Sequence, residues 1–123
     1  MLEDMDRKQI IAVDFDGTLH TGQWPTIGAT TPYAVEVMNK LKADGHYLVI
    51  WTCRAGDQLT EAINWLQEKG IPFNRINDNH PESVAKYGGN ARKVYADLYI
   101  DDKQVGGLPP WRDIYEMLGH EEK

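Results

Sequence analysis

Two aspartates, Asp14 and Asp16, follow directly on an apolar run at residues 10–13, and their types and spacing suit chemistry. A short apolar run without polar interruption is typical of a strand buried on both faces. Residues two apart lie on the same side of an extended chain, so both carboxylates would project together where the strand ends. Two like charges about 4 Å apart repel by about 4 kcal/mol at an effective dielectric of about 20. Such a pair needs a cation between the carboxylates or a proton on one of them.

The alternative interpretation of this segment is a strand followed by an ordinary surface turn. Asp16 and Gly17 form a common turn pair, and Gly17 lets the backbone turn sharply. The polar clusters elsewhere in the chain favour the chemical interpretation, provided that they meet Asp14 and Asp16 in space.

The elements that would position these clusters alternate between strands and helices. Short apolar runs bounded by turn residues predict strands at 10–13, 47–51, 73–76 and 97–100. Apolar residues at i, i+3, i+4 and i+7 predict helices at 32–44, 57–69 and 111–118, and Pro81 is expected to open a short helix at 81–87 that Gly88 and Gly89 end. Thr31 is expected to cap the first helix with Pro32 in its first turn, and Asp57 to cap the second. Residues 19–31 are typical of a loop with a small hairpin.

Strands alternating with helices predict an α/β fold: a three-layer α/β/α, Rossmann-like parallel sheet. Ligands of such sheets bind beyond the carboxyl ends of the strands. Polar groups follow each predicted strand, at 14–16, 52–54, 77–80 and 101–102. The sequence therefore predicts that these groups share one rim of the sheet.

The chemistry of the predicted rim suits a cation and a phosphate group. Asp101 and Asp102 would join the first two aspartates in an acidic basin, and oxygen ligands without a Cys/His cluster favour Mg²⁺ over zinc. Thr52 offers a hydroxyl and a backbone N–H to a phosphate oxygen. Lys93 offers a mobile cation that can offset the charge of a phosphoryl group.

In these residues the chain resembles the haloacid dehalogenase superfamily of phosphohydrolases. The motifs that carry the resemblance occur in the family's order, each at a strand end: Asp14-Phe15-Asp16-Gly17-Thr18, Thr52, Lys93 and Asp101-Asp102. The resemblance covers residues 9–102. The family's usual sites of cap insertion correspond to 19–31 and 77–92, which are too short for a packed domain, so the resemblance is to the capless subgroup, a single domain with an open site.

The resemblance implies a role for each acid at the first motif. Asp14 would be the nucleophile that forms an aspartyl-phosphate, and Asp16 would be the general acid and then the general base. The carboxylates of Asp14 and Asp101 and the backbone carbonyl of Asp16 would hold Mg²⁺. An acid at position 16 also argues against dehalogenation, since relatives that cleave carbon–halogen bonds do not carry it.

The resemblance also assigns the remaining rim residues. Thr52 and Lys93 would bind and neutralise the phosphoryl group, and Asp102 would assist the metal through water or by positioning Lys93. Lys86 competes for the lysine role, although Lys93 lies shortly before the fourth strand, as in capless relatives. Arg54 either binds the substrate phosphate or lies on the surface.

Several further residues have two interpretations each. His20 and Trp24 either contact the leaving group or pack within the loop at 19–31. His80 and residues 77–79 either border the pocket or serve the local fold, with Asn79 capping the third helix. Cys53 is expected to be a small buried residue rather than a nucleophile, because no histidine accompanies it. Asp97 is expected to be structural, and the core is expected to hold Trp51, Trp65 and Trp111.

Composition limits the classes of partner. At 123 residues, with 41% hydrophobic and 26% charged residues, the chain is predicted to form one domain over 1–123. A net charge of −6 argues against a broad nucleic-acid surface. The single cysteine excludes an internal disulfide, and the charged start lacks a signal or membrane segment, so we expect a soluble cytoplasmic protein without a membrane partner. The ends, 1–7 and 119–123, are expected to be frayed.

The leading prediction is therefore a Mg²⁺-dependent phosphomonoesterase. A sugar phosphate, a nucleotide, a phosphorylated polymer end and a phosphoprotein all suit an open rim, and a homo-oligomer in which a neighbouring subunit covers the site is compatible with the sequence. One alternative is a phosphorylatable signalling domain like a response-regulator receiver, which also combines an acidic Mg²⁺ basin with Thr and Lys. A third is a binding module without catalysis, against which the presence of both Asp14 and Asp16 argues.

Overall fold

The structure of the protein, a computed structural model, describes residues 8–118 of the chain. Strands and helices alternate in the order β1 Ile10–Val13, α1 Ala34–Ala43, β2 Tyr47–Ile50, α2 Gly56–Glu68, β3 Arg75–Ile76, α3 Pro81–Tyr87, β4 Leu98–Ile100 and α4 Trp111–Met117. The predicted fraying of the ends concerns residues outside this described part. Among the described helices, none combines the length and the apolar character needed to cross a membrane.

All four strands form one parallel sheet in the order β3-β2-β1-β4. The register sets Val13 beside Ile50 on one side and beside Ile100 on the other. The residues that follow these three strand ends, including Asp14 and Asp101, therefore begin at the same level of the sheet. This is the rim that the sequence predicts, and β1, which carries the first aspartates, lies inside the sheet.

Helices cover both faces of this sheet, which confirms the predicted α/β/α Rossmann-like architecture. The chain moves from β1 to β2 to β3 in one direction, so right-handed crossovers put α1 and α2 on one face. The connection from β3 to β4 runs back across the sheet and puts α3 on the other face. Helix α4 returns to the first face and contacts α1.

The main core lies between the sheet and the first helical layer. Its fully or nearly fully buried members come from β1, β2, α1, α2 and α4: Ile11, Val13, Leu48, Ile50, Val37, Met38, Leu41, Ala62, Leu66, Trp111 and Ile114. The last three residues of β1 and of β2 are buried, as continuous apolar runs predict. Of the three predicted core tryptophans, Trp111 is buried, while Trp51 and Trp65 are only partly buried.

The predicted caps of the first two helices are wrong. Helix α1 begins at Ala34 after Tyr33, because Thr31 is held in the preceding hairpin, where its N–H donates to the Leu19 carbonyl (2.9 Å). Helix α2 begins at Gly56, one residue before Asp57. Asp57 lies in the first turn, where its negative charge stabilises the helix by interacting with the helix dipole, but its side chain makes no capping hydrogen bond.

The third helix has the predicted bounds but a different cap. The His80 Nδ1 accepts the Glu82 N–H (3.0 Å), so His80 rather than Asn79 caps α3. The buried Asn79 side chain instead donates to Asn90 Oδ1 (2.8 Å) and accepts the Tyr95 N–H (2.7 Å). It thereby closes the loop that carries Lys93.

Strand β4 is preceded by a structural aspartate, as predicted. The Asp97 Oδ2 accepts the backbone N–H of Ile10 at 2.7 Å, which ties the start of β1 to the start of β4. The predicted hairpin at 19–31 is also present, since the Thr21 N–H donates to the Ala29 carbonyl (2.9 Å) and His20 bridges to Thr30.

Candidate active site

The carboxylates of Asp14, Asp101 and Asp102 form a cluster at the carboxyl ends of β1 and β4. One oxygen from each residue lies within 4.8 Å of the others, and all three residues are partly buried. The adjacency of β1 and β4 in the sheet produces this meeting of residues that are distant in sequence. The structure thus brings together three of the four predicted acids.

Thr18 connects the members of this acidic cluster. Its hydroxyl donates to Asp14 Oδ2 (3.0 Å), and the hydroxyl oxygen, Thr18 Oγ1, accepts the backbone N–H of Asp102 (3.1 Å). The Thr18 carbonyl accepts the indole N–H of the buried Trp111 (2.9 Å), which anchors the site loop to α4. Sequence reasoning did not assign Thr18 a role of its own, although it lies in the first motif.

Gly17 allows the loop after β1 to approach the second acidic pair. Its φ is +80°, in the left-handed region, and a Cβ at this position would clash with the Asp102 carboxylate. The turn at Gly17 is therefore part of the site, because a larger residue would push Asp102 away from Asp14.

Burial and neighbouring negative charges raise the pKa of Asp14, the candidate nucleophile. Burial and then the charge of Asp101 raise the pKa of Asp14 from 3.8 to about 7, with Asp102 adding to the effect and the Thr18 hydrogen bond opposing it. The Asp102 Oδ1 is buried and has no hydrogen-bond partner among the described residues. No positively charged side chain among the described contacts of Asp14 and Asp102 therefore offsets the negative charge of these two carboxylates.

The donor set fits Mg²⁺. Three carboxylates at the ends of two strands could supply the hard oxygen ligands that Mg²⁺ prefers, and a cation there would offset the charge of the Asp102 carboxylate, whose Oδ1 is buried and unpartnered among the described residues. The side chain of Asp16 is not in this cluster. Its contribution to a cation would come from the backbone carbonyl, which is the contribution that the family resemblance implies.

The Asp16 side chain is held by Arg54 and His20. Arg54 Nη2 donates to Oδ1 (2.7 Å) and Nε to Oδ2 (2.9 Å), a bidentate pair, while His20 Nε2 lies 2.8 Å from Oδ1. Burial opposes ionisation of Asp16, but the hydrogen bonds from Arg54 and His20 outweigh it and lower its pKa. Asp16 is thus an ionised carboxylate, in contrast to Asp14.

The surface interpretation of Arg54 is wrong. Only 1% of Arg54 is exposed, and its guanidinium carbon lies 5.2 Å from the Phe15 ring centroid and 4.8 Å from that of Trp24. Its Nη2 also donates to the Pro25 carbonyl (3.0 Å), so the loop at 19–31 covers it. Binding of substrate phosphate by Arg54 stays a prediction, which this buried position does not favour.

The loop at 19–31 places its two singled-out residues differently. His20 is fully buried, and its ring centroid lies 4.8 Å from that of Phe15 and 5.9 Å from that of Trp65. Trp24 is 55% exposed and lies over Arg54 at the edge of the site. His20 therefore contacts Asp16 from within the loop, whereas Trp24 is largely exposed to solvent.

Thr52 is only partly available to a phosphate group. Its backbone N–H donates to Asn77 Oδ1 (2.8 Å), so a phosphate would have to replace this bond, and the use of this N–H stays a prediction. Its Oγ1 accepts the Arg54 N–H (3.1 Å), which leaves the hydroxyl proton to donate. The neighbouring Cys53 is exposed, so the prediction that it is buried is wrong.

The two candidate lysines lie in different places. Lys93 is exposed, with Nζ 5.6 Å from the ring centroid of Tyr99 on β4, the strand that ends at Asp101. Lys86 borders a cavity that also includes Ile10 and Tyr95, at the amino end of β1 and so opposite to Asp14. Lys86 thus lies at the end of the sheet away from Asp14, and the phosphate-binding role of Lys93 stays a prediction.

The fold and the acidic cluster define a Rossmann-like α/β protein with its candidate site at the carboxyl rim of the sheet. No family model and no curated protein sequence matches the chain. A solved structure matches it closely: that of a conserved protein coded by a locus of Bacteroides thetaiotaomicron, 42% identical, with a TM-score of 0.83 over 95% of this chain and 94% of that one. The chain belongs to the same family as this bacterial protein.

Proposed function

We propose that the protein is a Mg²⁺-dependent phosphomonoester hydrolase of the haloacid dehalogenase type, capless, that acts through an aspartyl-phosphate on Asp14. The observation that carries the proposal is the meeting of Asp14, Asp101 and Asp102 at one end of the sheet, with oxygens within 4.8 Å of one another. An acidic cluster alone fits many proteins, and the motif order of the sequence supports this particular chemistry.

The proposed roles follow from the environment of each carboxylate. Asp14 attacks phosphorus and displaces the alcohol, and water then attacks the phosphorus of the aspartyl-phosphate and restores Asp14. A Mg²⁺ ion held by Asp14, Asp101, Asp102 and the Asp16 carbonyl would neutralise the negative charges that favour the protonated form of Asp14. Thr52 donates its hydroxyl to a phosphoryl oxygen, and Lys93 offsets the phosphoryl charge.

The ionised state of Asp16 suits the second half of this reaction, in which water hydrolyses the aspartyl-phosphate. An ionised carboxylate can accept the proton of the attacking water. In the first half the leaving alkoxide needs a proton, and a phosphate monoester, with a second pKa of about 6, carries one at mildly acidic pH. Asp16 would relay that proton from the substrate to the leaving oxygen.

The sheet order favours the hydrolase over a receiver-like signalling domain. Receivers have the flavodoxin-like strand order 2-1-3-4-5, whereas this sheet has the order β3-β2-β1-β4. A signalling role would also need a long-lived phosphoryl group on Asp14, which the proposed Asp16 base would remove.

The proposed substrate is a phosphorylated compound that reaches an open rim. Residues 19–31 form a hairpin and residues 77–92 hold only the short α3, so no domain inserted there covers the acidic cluster. We place the activity in the cytoplasm, in keeping with the single cysteine and the acidic composition.

Hydrolysis of p-nitrophenyl phosphate tests the proposal. We expect activity that EDTA abolishes and Mg²⁺ restores, and that Asp14→Asn lowers at least about 1000-fold, because the nucleophile is lost. Asp113→Asn is the matched control, since Asp113 is an exposed aspartate on α4, and it should retain full activity. Equal activity of Asp14→Asn and the wild type would refute the proposal.

A further inference from the structure

His20 is fully buried, although it lies in a loop beside the candidate site. Its ring packs against those of Phe15 and Trp65, which also contact each other, and its two nitrogens contact different groups. A buried imidazole in a loop needs a partner for each nitrogen. The identity of those partners fixes what His20 does to Asp16.

The backbone determines which nitrogen of His20 carries the proton. Nδ1 lies 3.0 Å from the Gly22 N–H and 3.2 Å from the Gly28 N–H, and a backbone N–H can only donate. Nδ1 is therefore an acceptor without a proton. The neutral ring carries its proton on Nε2, which donates to Asp16 Oδ1 at 2.8 Å.

Two glycines make this arrangement geometrically feasible. A Cβ on Gly22 would clash with the backbone of Gly28, and a Cβ on Gly28 would clash with Gly22 in return. The two N–H groups can converge on one nitrogen only because both positions lack a side chain. The hairpin thus holds His20 in one tautomer.

The bonds to Asp16 are distributed unevenly between its two oxygens. Oδ1 accepts His20 Nε2, Arg54 Nη2 (2.7 Å) and a longer contact from Arg54 Nε (3.2 Å). Oδ2 accepts Arg54 Nε (2.9 Å) and no further bond from the described residues. Since Oδ2 accepts this one bond, it retains lone pairs for a substrate or water, and the Asp16 side chain as a whole is 27% exposed.

We propose that His20 is a positioning residue, which occupies Asp16 Oδ1 and so makes Oδ2 the oxygen that exchanges the proton with the leaving group and with water. This inference rests on the proposed phosphohydrolase function. Without His20, the Asp16 carboxylate is held by Arg54 alone and can rotate, so proton transfer becomes less efficient while nucleophilic attack by Asp14 does not change.

The dependence on the leaving group tests this inference. An aryl phosphate such as p-nitrophenyl phosphate departs with little protonation, whereas an alkyl phosphate needs the proton. We expect His20→Leu to lower kcat/KM about 30-fold or more on an alkyl phosphate and less than about 5-fold on p-nitrophenyl phosphate, within the range of general acid catalysis. We expect His20→Gln, whose side-chain amide can donate to Oδ1, to recover most of the loss.

His46→Gln is the matched control, because His46 is a buried histidine whose Nδ1 also accepts a backbone N–H, from Gln9 at 3.1 Å. It should affect both substrates equally. Equal losses on the two esters in His20→Leu, or in His20→Phe if the leucine variant does not fold, would overturn the inference and leave the proposed function standing, since neither side chain can donate to Asp16 Oδ1. A wild type that hydrolyses neither ester would overturn the proposed function itself.

The tautomer supplies a readout that does not depend on activity. Two-dimensional ¹H–¹⁵N spectra of the ring nitrogens should show His20 neutral, with its proton on Nε2, and Asp16→Asn should change the Nε2–H resonance. A proton on Nδ1 would overturn the inference whatever the kinetics, since Nδ1 could then not accept from Gly22 and Gly28.

Discussion

The guanidinium of Arg54 binds both oxygens of the Asp16 carboxylate, with Nη2 2.7 Å from Oδ1 and Nε 2.9 Å from Oδ2. This pair joins the loop after β2 to the loop after β1, beneath the aromatic rings of Phe15 and Trp24. The two aspartates of the first motif therefore have opposite electrostatic surroundings. Asp16 has two hydrogen-bond donors, whereas Asp14 faces the negative charges of Asp101 and Asp102.

Removal of the Arg54 guanidinium should destabilise the protein. We expect Arg54→Met to lower the free energy of unfolding by about 2–3 kcal/mol, below the usual cost of breaking a fully buried pair because Asp16 is 27% exposed. The free energy of unfolding of Arg54→Lys should lie between those of Arg54→Met and the wild type, since an ammonium group cannot bind both carboxylate oxygens as the planar guanidinium does. Urea unfolding at neutral pH measures these differences. Equal stability of Arg54→Met and the wild type would contradict this account of the pair.

The metal-free protein should lose stability as the pH rises from about 4 to 7. In this range the folded protein keeps a proton on Asp14, whose pKa is raised from 3.8 to about 7, while the unfolded chain releases it. The full shift corresponds to about 4 kcal/mol, which solvent exposure of Asp14 reduces to about 1–2 kcal/mol.

Unfolding in EDTA at several pH values measures this dependence, with Asp14→Asn as the control. The variant should lack the part of the decrease that belongs to Asp14, and it should be more stable than the wild type above pH 7. A wild-type curve that runs parallel to that of Asp14→Asn would show that Asp14 has an ordinary pKa in the folded protein.

Binding of Mg²⁺ should stabilise the protein more at pH 8 than at pH 5. At pH 8 the three carboxylates are available, whereas at pH 5 binding must displace the proton from Asp14. Thermal unfolding with and without Mg²⁺ measures the difference in Tm. Asp101→Asn should abolish most of the stabilisation, and Asp97→Asn, outside the cluster, should leave the Mg²⁺-dependent increase in place. An increase that persists in Asp101→Asn would place the ion elsewhere.

Replacement of Lys93 should reduce activity, while replacement of Lys86 should not. Lys93 is carried by the loop next to β4, whereas Lys86 lies at the other end of β1. Loss of one charge-stabilising donor usually costs about 100-fold or more in kcat, which we expect for Lys93→Met. Lys86→Met is the matched control because both lysines are exposed. The reverse pattern would assign the role to Lys86.

The sequence allowed the architecture and the gathering of acids to be predicted because both depend on simple patterns. Uninterrupted apolar runs at 10–13 and 47–50 specify buried parallel strands, and parallel strands end at one rim. Asp14 and Asp101 meet because β1 and β4 are neighbours, which follows once the chain crosses back over the sheet. Helix starts were less predictable, since the hairpin holds Thr31 by a backbone bond that residue types do not reveal.

The arrangement around Asp16 could not be predicted for a related physical reason. Burial of Arg54 depends on packing against Phe15 and Trp24, and the tautomer of His20 depends on two backbone N–H groups. These are contacts across a loop, and no sequence period records them. A partial signal exists in the pair Gly22 and Gly28, which face each other within the hairpin that closes on His20.

Trapping the phosphorylated enzyme tests the central claim most directly. The protein is mixed with substrate and Mg²⁺, quenched in acid, treated with borohydride and digested, so that an aspartyl-phosphate is reduced to homoserine and located by peptide mass spectrometry. We expect homoserine at position 14, dependent on both substrate and Mg²⁺, and absent from Asp101→Asn. Hydrolysis that proceeds while Asp14 remains unmodified, or a modification at another aspartate, would contradict the account.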